Sequence, residues 1–277
     1  MASFKMRKIF RKVQTVKRIG ISQTLLILSA RFGLNIVINP RLNEGIAQPF
    51  SCPICGYSRF QVGKVLWPAL IEQWELNDEE VSYIDRQQGL SCLSCACILR
   101  SMTLADALRK ACGKRKNFSE LCATDKGFRR LKVLEVNEAG NLSPFLQKLP
   151  HRTLALYPEI DIQAMTYASD SFDIVIHSDT LEHVPNPVRA LEECFRVLKK
   201  GGVLAYTVPV VFGRATRRRD GLPISFHGSF DTNSEDYKVV SEYGHDFYLE
   251  PYQAGFRQIC MHSLLFPEST ALICRKF

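Results

Sequence analysis

Short apolar segments alternate with amphipathic segments along the second half of the chain. The segments with strand character are 132–136, 153–157, 172–177 and 203–208. A helix is predicted at about 187–198, because Pro185-Asn186-Pro187 is a start signal and Gly201-Gly202 is a stop signal. Such alternation predicts a parallel sheet with helices on both faces. Ligands of these sheets bind beyond the carboxyl ends of the strands, so functional residues are expected there.

The turn after the first of these strands has the layout of a nucleotide-binding loop. Residues 134–141 (LEVNEAGN) join a buried strand to a helical pattern through an acidic turn. Nucleotide loops usually contain two or three glycines at this point, whereas Gly140 is the only glycine of the stretch. The residues alone therefore leave two interpretations open: a cofactor site without its usual glycines, or a plain connection between a strand and a helix.

Two Cys-x-x-Cys pairs precede the alternating region. Each pair turns two thiols toward one point, and two such turns complete the four-sulfur tetrahedron of a zinc site. The four cysteines are Cys52, Cys55, Cys92 and Cys95. Four protein ligands leave no coordination position for a substrate, so the predicted zinc ion is structural. The segment 56–91 between the pairs is expected to fold back as strands or a small hairpin. The alternative is a group of buried free thiols.

The stretch 171–209 resembles part of a known enzyme family. Its sequence, SFDIVIHSDTLEHVPNPVRALEECFRVLKKGGVLAYTVP, is similar in order and spacing to the fourth strand, the following helix and the fifth strand of class I S-adenosylmethionine-dependent methyltransferases. The resemblance extends over 131–277, with 259–266 and 271–276 as the closing antiparallel pair. It implies S-adenosyl-L-methionine as the methyl donor. The cysteine region resembles a zinc module found on some members of the same superfamily.

The family resemblance and the cysteine pairs together predict an α/β fold class. The expected architecture is a Rossmann-like, seven-stranded methyltransferase sheet, preceded by a small zinc-binding module and a basic N-terminal helix. Four parts of the chain follow from this architecture. They are a basic helical arm at 1–43, a zinc-knuckle module at 44–100, a helical linker at 101–130 and a class I methyltransferase domain at 131–277.

The resemblance assigns contacts with the donor to the first loop. In the family, an acidic residue and several glycines approach the methionine part of the donor there. Glu135 matches the acidic position, Asn137 and Ala139 stand at the first two glycine positions, and Gly140 follows. Asparagine tolerates the left-handed backbone that glycine supplies, and alanine adds only one methyl group. The loop is therefore expected to bind the donor in an altered form, and the alternative is a loop that has lost this ability.

Further contacts with the donor are expected after the second and fourth strands of the family. Asp161 and Ile162 resemble the loop whose carboxylate accepts the adenine amino group. Glu159 is the acid nearest to the place where family members hold the ribose hydroxyls, although it is expected to lie past the strand. Ser178 and Asp179 follow the fourth strand of the family and are expected to frame the cofactor.

The same region suggests catalytic roles. Asp179, Glu182 and His183 match an acid-x-x-Glu-His pattern that holds a divalent metal in the ubiquinone-pathway O-methyltransferases. Carboxylates with one imidazole suit Mg2+ or Mn2+. The alternative is that Glu182 and His183 only cap a helix and pack locally, with His183 as a general base. His227 is the second catalytic candidate, and His245 is a further candidate to line the acceptor mouth.

A cluster of arginines lies in the long insert 209–245. Its members are Arg214, Arg217, Arg218 and Arg219. Guanidinium groups bind phosphates and carboxylates through paired hydrogen bonds, so the cluster could meet a phosphate, a carboxylate or a glycan acid on the acceptor. A solvated loop is the alternative for such a charge run.

The net charge of +8 comes from the beginning of the chain. Residues 1–43 contain nine Lys or Arg and no Asp or Glu, which leaves 27 basic and 28 acidic residues elsewhere. A nucleic-acid groove across the whole protein is therefore not implied. The arm has three interpretations: a helix in peripheral contact with an anionic membrane, an organellar transit peptide, or a solvated helix packed on its own domain.

The composition favours a cytoplasmic localisation. No apolar run approaches the ~18 residues that a membrane-spanning helix needs. The beginning of the chain has no segment typical of a secretion signal. The ten cysteines are then expected to be thiols or metal ligands and not disulfides.

These observations predict an S-adenosylmethionine-dependent methyltransferase that acts on a hydroxyl or similar nucleophile of a small molecule or glycan. One alternative is an RNA methyltransferase that holds RNA through the zinc module and the basic arm. It is less favoured because the chain has neither an Asn-Pro-Pro-Tyr-like motif nor a catalytic cysteine motif. The other alternative is a non-catalytic binding protein with a decayed cofactor loop.

Overall fold

Two cysteine turns and two helices form the front region of the protein, residues 50–98. The computed structural model describes residues 50–226 and 237–277, so the predicted basic arm at 1–43 lies outside the described residues. Strands β1 (Phe60–Val62) and β2 (Leu90–Cys92) pair antiparallel, and helices α1 (Pro68–Gln73) and α2 (Asp78–Gly89) lie between them. The expected antiparallel pairing is therefore present, with two helices in addition.

Three helices connect the front of the protein to the central sheet. They are α3 (Leu99–Ala111), α4 (Phe118–Thr124) and α5 (Lys126–Arg129). Residues 99–108 of α3 are all buried except Arg100, which is half-buried, because this helix packs against the sheet. A capping box fixes the start of α4, in which the Asn117 side chain accepts from the backbone of Glu120 and the Glu120 carboxylate accepts from the backbone of Asn117.

The rest of the chain alternates strands and helices as the apolar pattern predicts. The elements are β3 (Val133–Val136), α6 (Ser143–Leu146), β4 (Arg152–Ala155), β5 (Phe172–Ser178), α7 (Pro187–Val197), β6 (Leu198–Thr207), β7 (Val210–Val211), β8 (Arg217–Arg218), β9 (Ser241–Gly244), α8 (Leu249–Gln253), β10 (Gln258–Leu265) and β11 (Ser269–Arg275). The predicted helix after Asn186 is confirmed as α7, and the Asn186 side chain caps it by accepting from Arg189 N at 3.0 Å.

The central sheet has six strands in the order β10-β11-β6-β5-β3-β4. The pairs β3–β4, β3–β5 and β5–β6 are parallel, while β11 pairs antiparallel with β6 and β10. The predicted closing antiparallel pair is therefore confirmed. The seven predicted strands are not, because residues 156–171 between β4 and β5 contain neither a helix nor a strand. A further parallel strand needs a crossover of a dozen or more residues on each side, and this segment is too short to supply them.

A second, smaller sheet forms from the insert after β6. Its order is β7-β9-β8 within the described residues. Val211 of β7 and Val239 pack in one apolar cluster with Leu70 and Trp74, which come from α1 and the turn after it. The insert therefore lies against the front helices and covers the carboxyl-end side of β5.

The cysteine region and the main sheet share one hydrophobic cluster. Cys52 and Ile54 belong to the same group of buried residues as Leu104 of α3, Ile174 of β5 and Ile273 of β11. The predicted divisions of the chain at 44–100, 101–130 and 131–277 remain predictions, but the apolar core runs across them. No helix of the described residues has the length and hydropathy that crossing a membrane requires.

A buried acid fastens α3 to the edge strand β10. Asp106 accepts from His262 Nε2 at 2.8 Å and from Lys110 Nζ at 2.7 Å, and its side chain is almost fully buried. Burial raises the pKa of Asp106, but the hydrogen bonds from His262 and Lys110 outweigh it and hold the pKa below its ordinary value.

A pH dependence of stability follows from this lowered pKa. A carboxyl whose pKa is lower in the folded protein stabilises the fold above its unfolded pKa, near 3.9, and loses that contribution as the pH falls through the folded value. We expect Asp106→Asn to lower the free energy of unfolding by about 1–3 kcal/mol at neutral pH. Urea unfolding of both proteins should show this difference shrinking below about pH 4. A difference independent of pH would contradict the assignment.

Candidate functional site

The loop after β3 adopts the backbone that its asparagine predicts. Asn137 and Glu138 both have φ of 51°, and Gly140 has φ of 54°. The Asn137 N–H donates to Ala155 O at 2.9 Å, and its side-chain Oδ1 accepts from Tyr157 N at 2.9 Å. The asparagine therefore supplies the left-handed turn and also ties the end of β3 to the end of β4.

Glu135 supports this loop from inside the protein. Its side chain is fully buried, and its Oε1 accepts from Ala139 N at 2.8 Å. Its Oε2 accepts from Arg152 Nε at 2.5 Å, and Arg152 also donates to Ser143 Oγ at 3.0 Å. The carboxylate thus holds the loop in shape. The expected direct contacts of Glu135, Asn137, Ala139 and Gly140 with a donor stay predictions.

A turn after β4 carries the predicted adenine contact. Asp161 Oδ1 accepts from Gln163 N at 2.8 Å, which closes the turn, while Ile162 is buried. Asp161 is half-buried, whereas Glu159 is exposed on the preceding turn. The assignment of Asp161 and Ile162 to the adenine end stays a prediction.

An ion pair marks the end of β5. Arg100, in the first turn of α3, contacts Asp179 Oδ2, and both side chains are largely buried. Asp179 has φ of 47° and donates its N–H to Thr207 O at 3.0 Å, next to a 2.8 Å hydrogen bond between Ser178 Oγ and Thr207 Oγ1. Burial raises the pKa of Asp179 to about 7, although Arg100 acts in the opposite direction.

Three buried atoms of this ion pair make no hydrogen bond within 50–226 and 237–277. They are Arg100 Nε, Arg100 Nη1 and Asp179 Oδ1, of which Nη1 is the atom that contacts Asp179 Oδ2. Buried polar atoms are nearly always satisfied, so Nε and Oδ1 mark a place for a polar partner such as water, an ion or a ligand. No sequence motif selects Arg100 in advance. Its only signal is that Arg100 and Asp106 are the two charged residues of the mainly apolar segment 97–108.

The predicted Mg2+ or Mn2+ site is wrong. Asp179, Glu182 and His183 were expected on one face of a helix, but Asp179 takes a positive φ and only a 3-10 turn, Leu181–His183, follows it. Asp179 instead faces Arg100, and Glu182 is fully buried. Within the described ranges, the one group of three or more converging Cys, His, Asp or Glu ligand atoms is the cysteine cluster.

Only one of the two catalytic histidine candidates, His183, belongs to the residues that the structure describes. His183 Nδ1 lies 3.0 Å from Lys238 O, and its ring stands edge-on to Tyr237. His227 lies outside the described residues. The additional candidate His245 is exposed and does not line the cavity described next.

A cavity of 330 Å³ opens beside Asp179 and His183. One wall comes from residues 65–76 and α2, and the other comes from residues 209–211 with Tyr237. Arg100 reaches the cavity from α3. The loop 137–140 does not line it, so the cavity opens at the end of β5 and not at the end of β3.

The arginine cluster of the insert surrounds a buried acid. Glu242 is fully buried and contacts Arg214 at 2.7 Å, Arg217 at 2.7 Å and Arg219 through its other oxygen. Arg218 lies apart from them and pairs with Asp220. Neither predicted interpretation, acceptor binding or a solvated loop, describes Arg219, whose side chain is only 4% exposed.

The four predicted zinc ligands come together at the front of the protein. The sulfur atoms of Cys52, Cys55, Cys92 and Cys95 all lie within 4.8 Å of one another. The distances Cys52–Cys95 and Cys55–Cys92 are 3.7 and 3.6 Å. These spacings fit a tetrahedral zinc ion, because Zn–S bonds of about 2.3 Å set sulfur–sulfur edges of about 3.8 Å.

The two cysteine turns have the same backbone design. Gly56 N donates to Cys52 O at 2.7 Å, and Ala96 N donates to Cys92 O at 2.9 Å. Gly56 and Ala96 have φ of 83° and 57°, so each turn closes with a left-handed residue. Burial raises the pKa of the Cys52 thiol, while the backbone N–H groups of residues 54 and 55, which donate to its sulfur, act in the opposite direction.

Comparison with known proteins gives a family match for the middle of the chain. Residues 108–206 match the model of a family described as a methyltransferase domain. A 2-methyl-6-phytyl-1,4-hydroquinone methyltransferase 1 of Oryza sativa subsp. japonica, named as chloroplastic, is 38% identical over 52 residues. This match covers 19% of the chain and only 16% of the rice protein.

Solved structures with similarity to the chain include several methyltransferases. One is a possible histamine N-methyltransferase from Thermotoga maritima, 17% identical, with a TM-score of 0.35 over 57% of this chain and 88% of that one. Another is a methyltransferase from Listeria monocytogenes, 10% identical, with a TM-score of 0.37 over 53% and 92% of the two chains.

The family match covers the strands β3 to β6, the helix α7 and the loop after β3. The mostly parallel sheet that these elements build has the arrangement expected of the family. The middle of this chain, residues 108–206, is therefore similar to a methyltransferase domain in both its sequence and its mostly parallel sheet.

Proposed function

We propose that the protein transfers a methyl group from S-adenosyl-L-methionine to a hydroxyl or similar nucleophile of a small molecule. The observation that carries this proposal is the ion pair at the end of β5. Arg100 Nε and Asp179 Oδ1 are buried there and make no hydrogen bond to any residue that the structure describes, beside a loop in the left-handed conformation. A donor that ends in a carboxylate and an ammonium group offers each of these atoms a partner.

In this proposal, different residues of the chain bind different parts of the donor. Arg100 would hold the donor carboxylate, and Asn137 and Gly140 would leave room for the methionine part. Asp161 would accept the adenine amino group at the other end. The donor supplies an electrophilic methyl group on a positively charged sulfur, so the protein mainly has to align the nucleophile and exclude water.

His183 is our candidate for accepting the proton of the nucleophile. It lines the cavity beside Asp179, where an acceptor would approach the methyl group. Its Nδ1 lies within hydrogen-bond distance of Lys238 O, which would orient the ring, and its Nε2, 3.8 Å from Glu182 Oε1, would be the atom that receives a proton. General bases of this kind contribute about 10²–10⁴-fold to a rate.

We also propose a structural zinc ion at Cys52, Cys55, Cys92 and Cys95. The support is the sulfur geometry together with the repeated turn design. All four ligands would come from the protein, so this ion would hold the front region together and take no part in the reaction.

Calorimetric titration with S-adenosylmethionine tests the assignment of the donor site. We expect Asp161→Ala to weaken donor binding about ten- to hundredfold, since one charge-assisted hydrogen bond is worth about 1.5–3 kcal/mol. The matched control is Glu159→Ala, which removes an exposed carboxylate two residues away and should leave the affinity unchanged. Equal affinities for the Asp161 variant and the unaltered protein would place adenine elsewhere. A chain that binds no donor at all would refute the proposed function.

A further inference from the structure

Eleven of the fifteen residues that line the cavity beside Asp179 have apolar or aromatic side chains, and the other four are Gln88, Arg100, Asp179 and His183. The lining residues with apolar or aromatic side chains include Leu66, Trp67, Leu70, Trp74, Ile84 and Val211. Trp74 is held in place by a 2.9 Å hydrogen bond from its Nε1 to Ser225 Oγ. Fixed apolar walls favour a ligand that loses apolar surface to water on binding, because each buried CH₂ group contributes about 0.8 kcal/mol.

The charged groups at the cavity compensate one another. Arg100 and Asp179 line it together and form an ion pair. Arg214, Arg217 and Arg219 do not line the cavity and form ion pairs with Glu242. With the donor carboxylate bound to Arg100 as proposed, a phosphate, a sugar acid or a carboxylate of the acceptor would lose its hydration in this cavity and gain no unpaired cation there.

We propose that the acceptor is a compact, uncharged, phenol-like molecule whose body fills this cavity and whose hydroxyl faces His183. This proposal rests on the proposed function and narrows its acceptor. Trp67, Trp74 and Tyr237 contribute aromatic side chains to the lining, and aromatic side chains pack favourably with an aromatic ring. A hydrophilic glycan lacks the apolar surface that would match these walls.

Atoms and electrons balance in the proposed methyl transfer without a further reactant. The acceptor oxygen forms a bond to the methyl carbon of S-adenosylmethionine while the carbon–sulfur bond breaks. The electron pair of that bond stays on the sulfur, which becomes a neutral thioether. The hydroxyl proton passes to His183 Nε2, so no further reactant is needed.

The tryptophans give a direct measurement of occupancy. The chain contains only two, Trp67 and Trp74, and both line the cavity. With S-adenosylhomocysteine present and excitation at the red edge of tryptophan absorption, 4-butylphenol should change the emission in a saturable way. The matched anion 4-butylbenzoate should bind at least about tenfold more weakly, because its charge must be desolvated without a partner.

Two variants test the position of the site. Val65 lines the cavity and is 40% exposed, so Val65→Glu places a charge on its rim with little cost to the fold. Val62 is 66% exposed in β1 and does not line the cavity, and Val62→Glu is the matched control. We expect Val65→Glu to weaken 4-butylphenol binding about tenfold and Val62→Glu to leave it unchanged.

The outcomes separate this proposal from the proposed function. Saturable binding of the phenol, weaker binding of the benzoate and an effect confined to Val65→Glu would support the acceptor class. No saturable change with the phenol, or equal binding of both probes, in a protein that binds donor by calorimetry would overturn the acceptor class alone. Phenol binding in a protein that binds no donor would leave the cavity assignment standing as a binding site and refute its role in methyl transfer.

Discussion

Replacing Cys52 and Cys92 together by serine is expected to remove zinc from the protein and to unfold its front region. Each replacement takes one ligand from a different cysteine turn, so neither turn can hold an ion with two sulfurs. Structural zinc sites in small peptides contribute about 10–16 kcal/mol of apparent binding free energy. This exceeds much of the total stability of an ordinary domain, which is about 5–15 kcal/mol. Since Cys52 packs in the cluster shared with α3 and the sheet, the loss should extend beyond the cysteine turns.

Elemental analysis of protein purified without added metal should give close to one zinc per chain, and none in the double variant. Thermal unfolding of the variant should begin at a lower temperature or lose its cooperativity. The matched control is Cys112→Ser with Cys260→Ser, two half-buried cysteines outside the cluster, which should keep the zinc. Unaltered zinc content in the Cys52 and Cys92 variant would exclude the site.

Glu242→Gln is expected to lower the free energy of unfolding strongly. The glutamate is fully buried and forms ion pairs with Arg214, Arg217 and Arg219 in the small sheet beside the cavity. The amide keeps the shape but removes the charge, which leaves the buried Arg219 without a compensating anion. Removing one partner of a buried ion pair costs about 3–5 kcal/mol, and three cations share this one partner.

Urea unfolding measures this effect, and the chain contains a natural control. Glu75 also pairs with Arg217, at 3.1 Å, but its side chain is 72% exposed. Glu75→Gln should therefore change the free energy of unfolding by less than about 1 kcal/mol. If Glu242→Gln and Glu75→Gln lowered the free energy of unfolding by similar amounts, the burial of Glu242 would not add to the stability of the insert.

Local signals predicted the parts of the fold that depend on neighbouring residues. Asn186 and Pro187 mark the start of α7 because capping and a preset φ act within one turn. The two Cys-x-x-Cys turns identified the cluster because each turn aims two sulfurs at one point. The missing strand follows from segment length, since 156–171 cannot hold another strand with its crossovers. The family resemblance nevertheless favoured seven strands.

The candidate site was harder to predict because its contacts join distant parts of the chain. Arg100 meets Asp179, and Arg219 meets Glu242, only after the sheet has formed. The expected metal site failed for a local reason, namely that Asp179 lies in the left-handed region and cannot begin a helix there. The walls of the cavity come from the front helices and the insert, and periodicity in either segment alone gives no sign that they meet.

Helix α3 joins the cysteine cluster to the donor site, and this has a thermodynamic consequence. Its first turn carries Arg100, and the chain enters that turn directly from Cys95 and Cys97. A state with the cysteine turns disordered would also lose the fixed position of the guanidinium group. By linkage, any factor by which zinc raises the affinity for the methyl donor must equal the factor by which the donor raises the affinity for zinc. If both proposed ligands bind, zinc and the donor would be positive effectors of each other without touching.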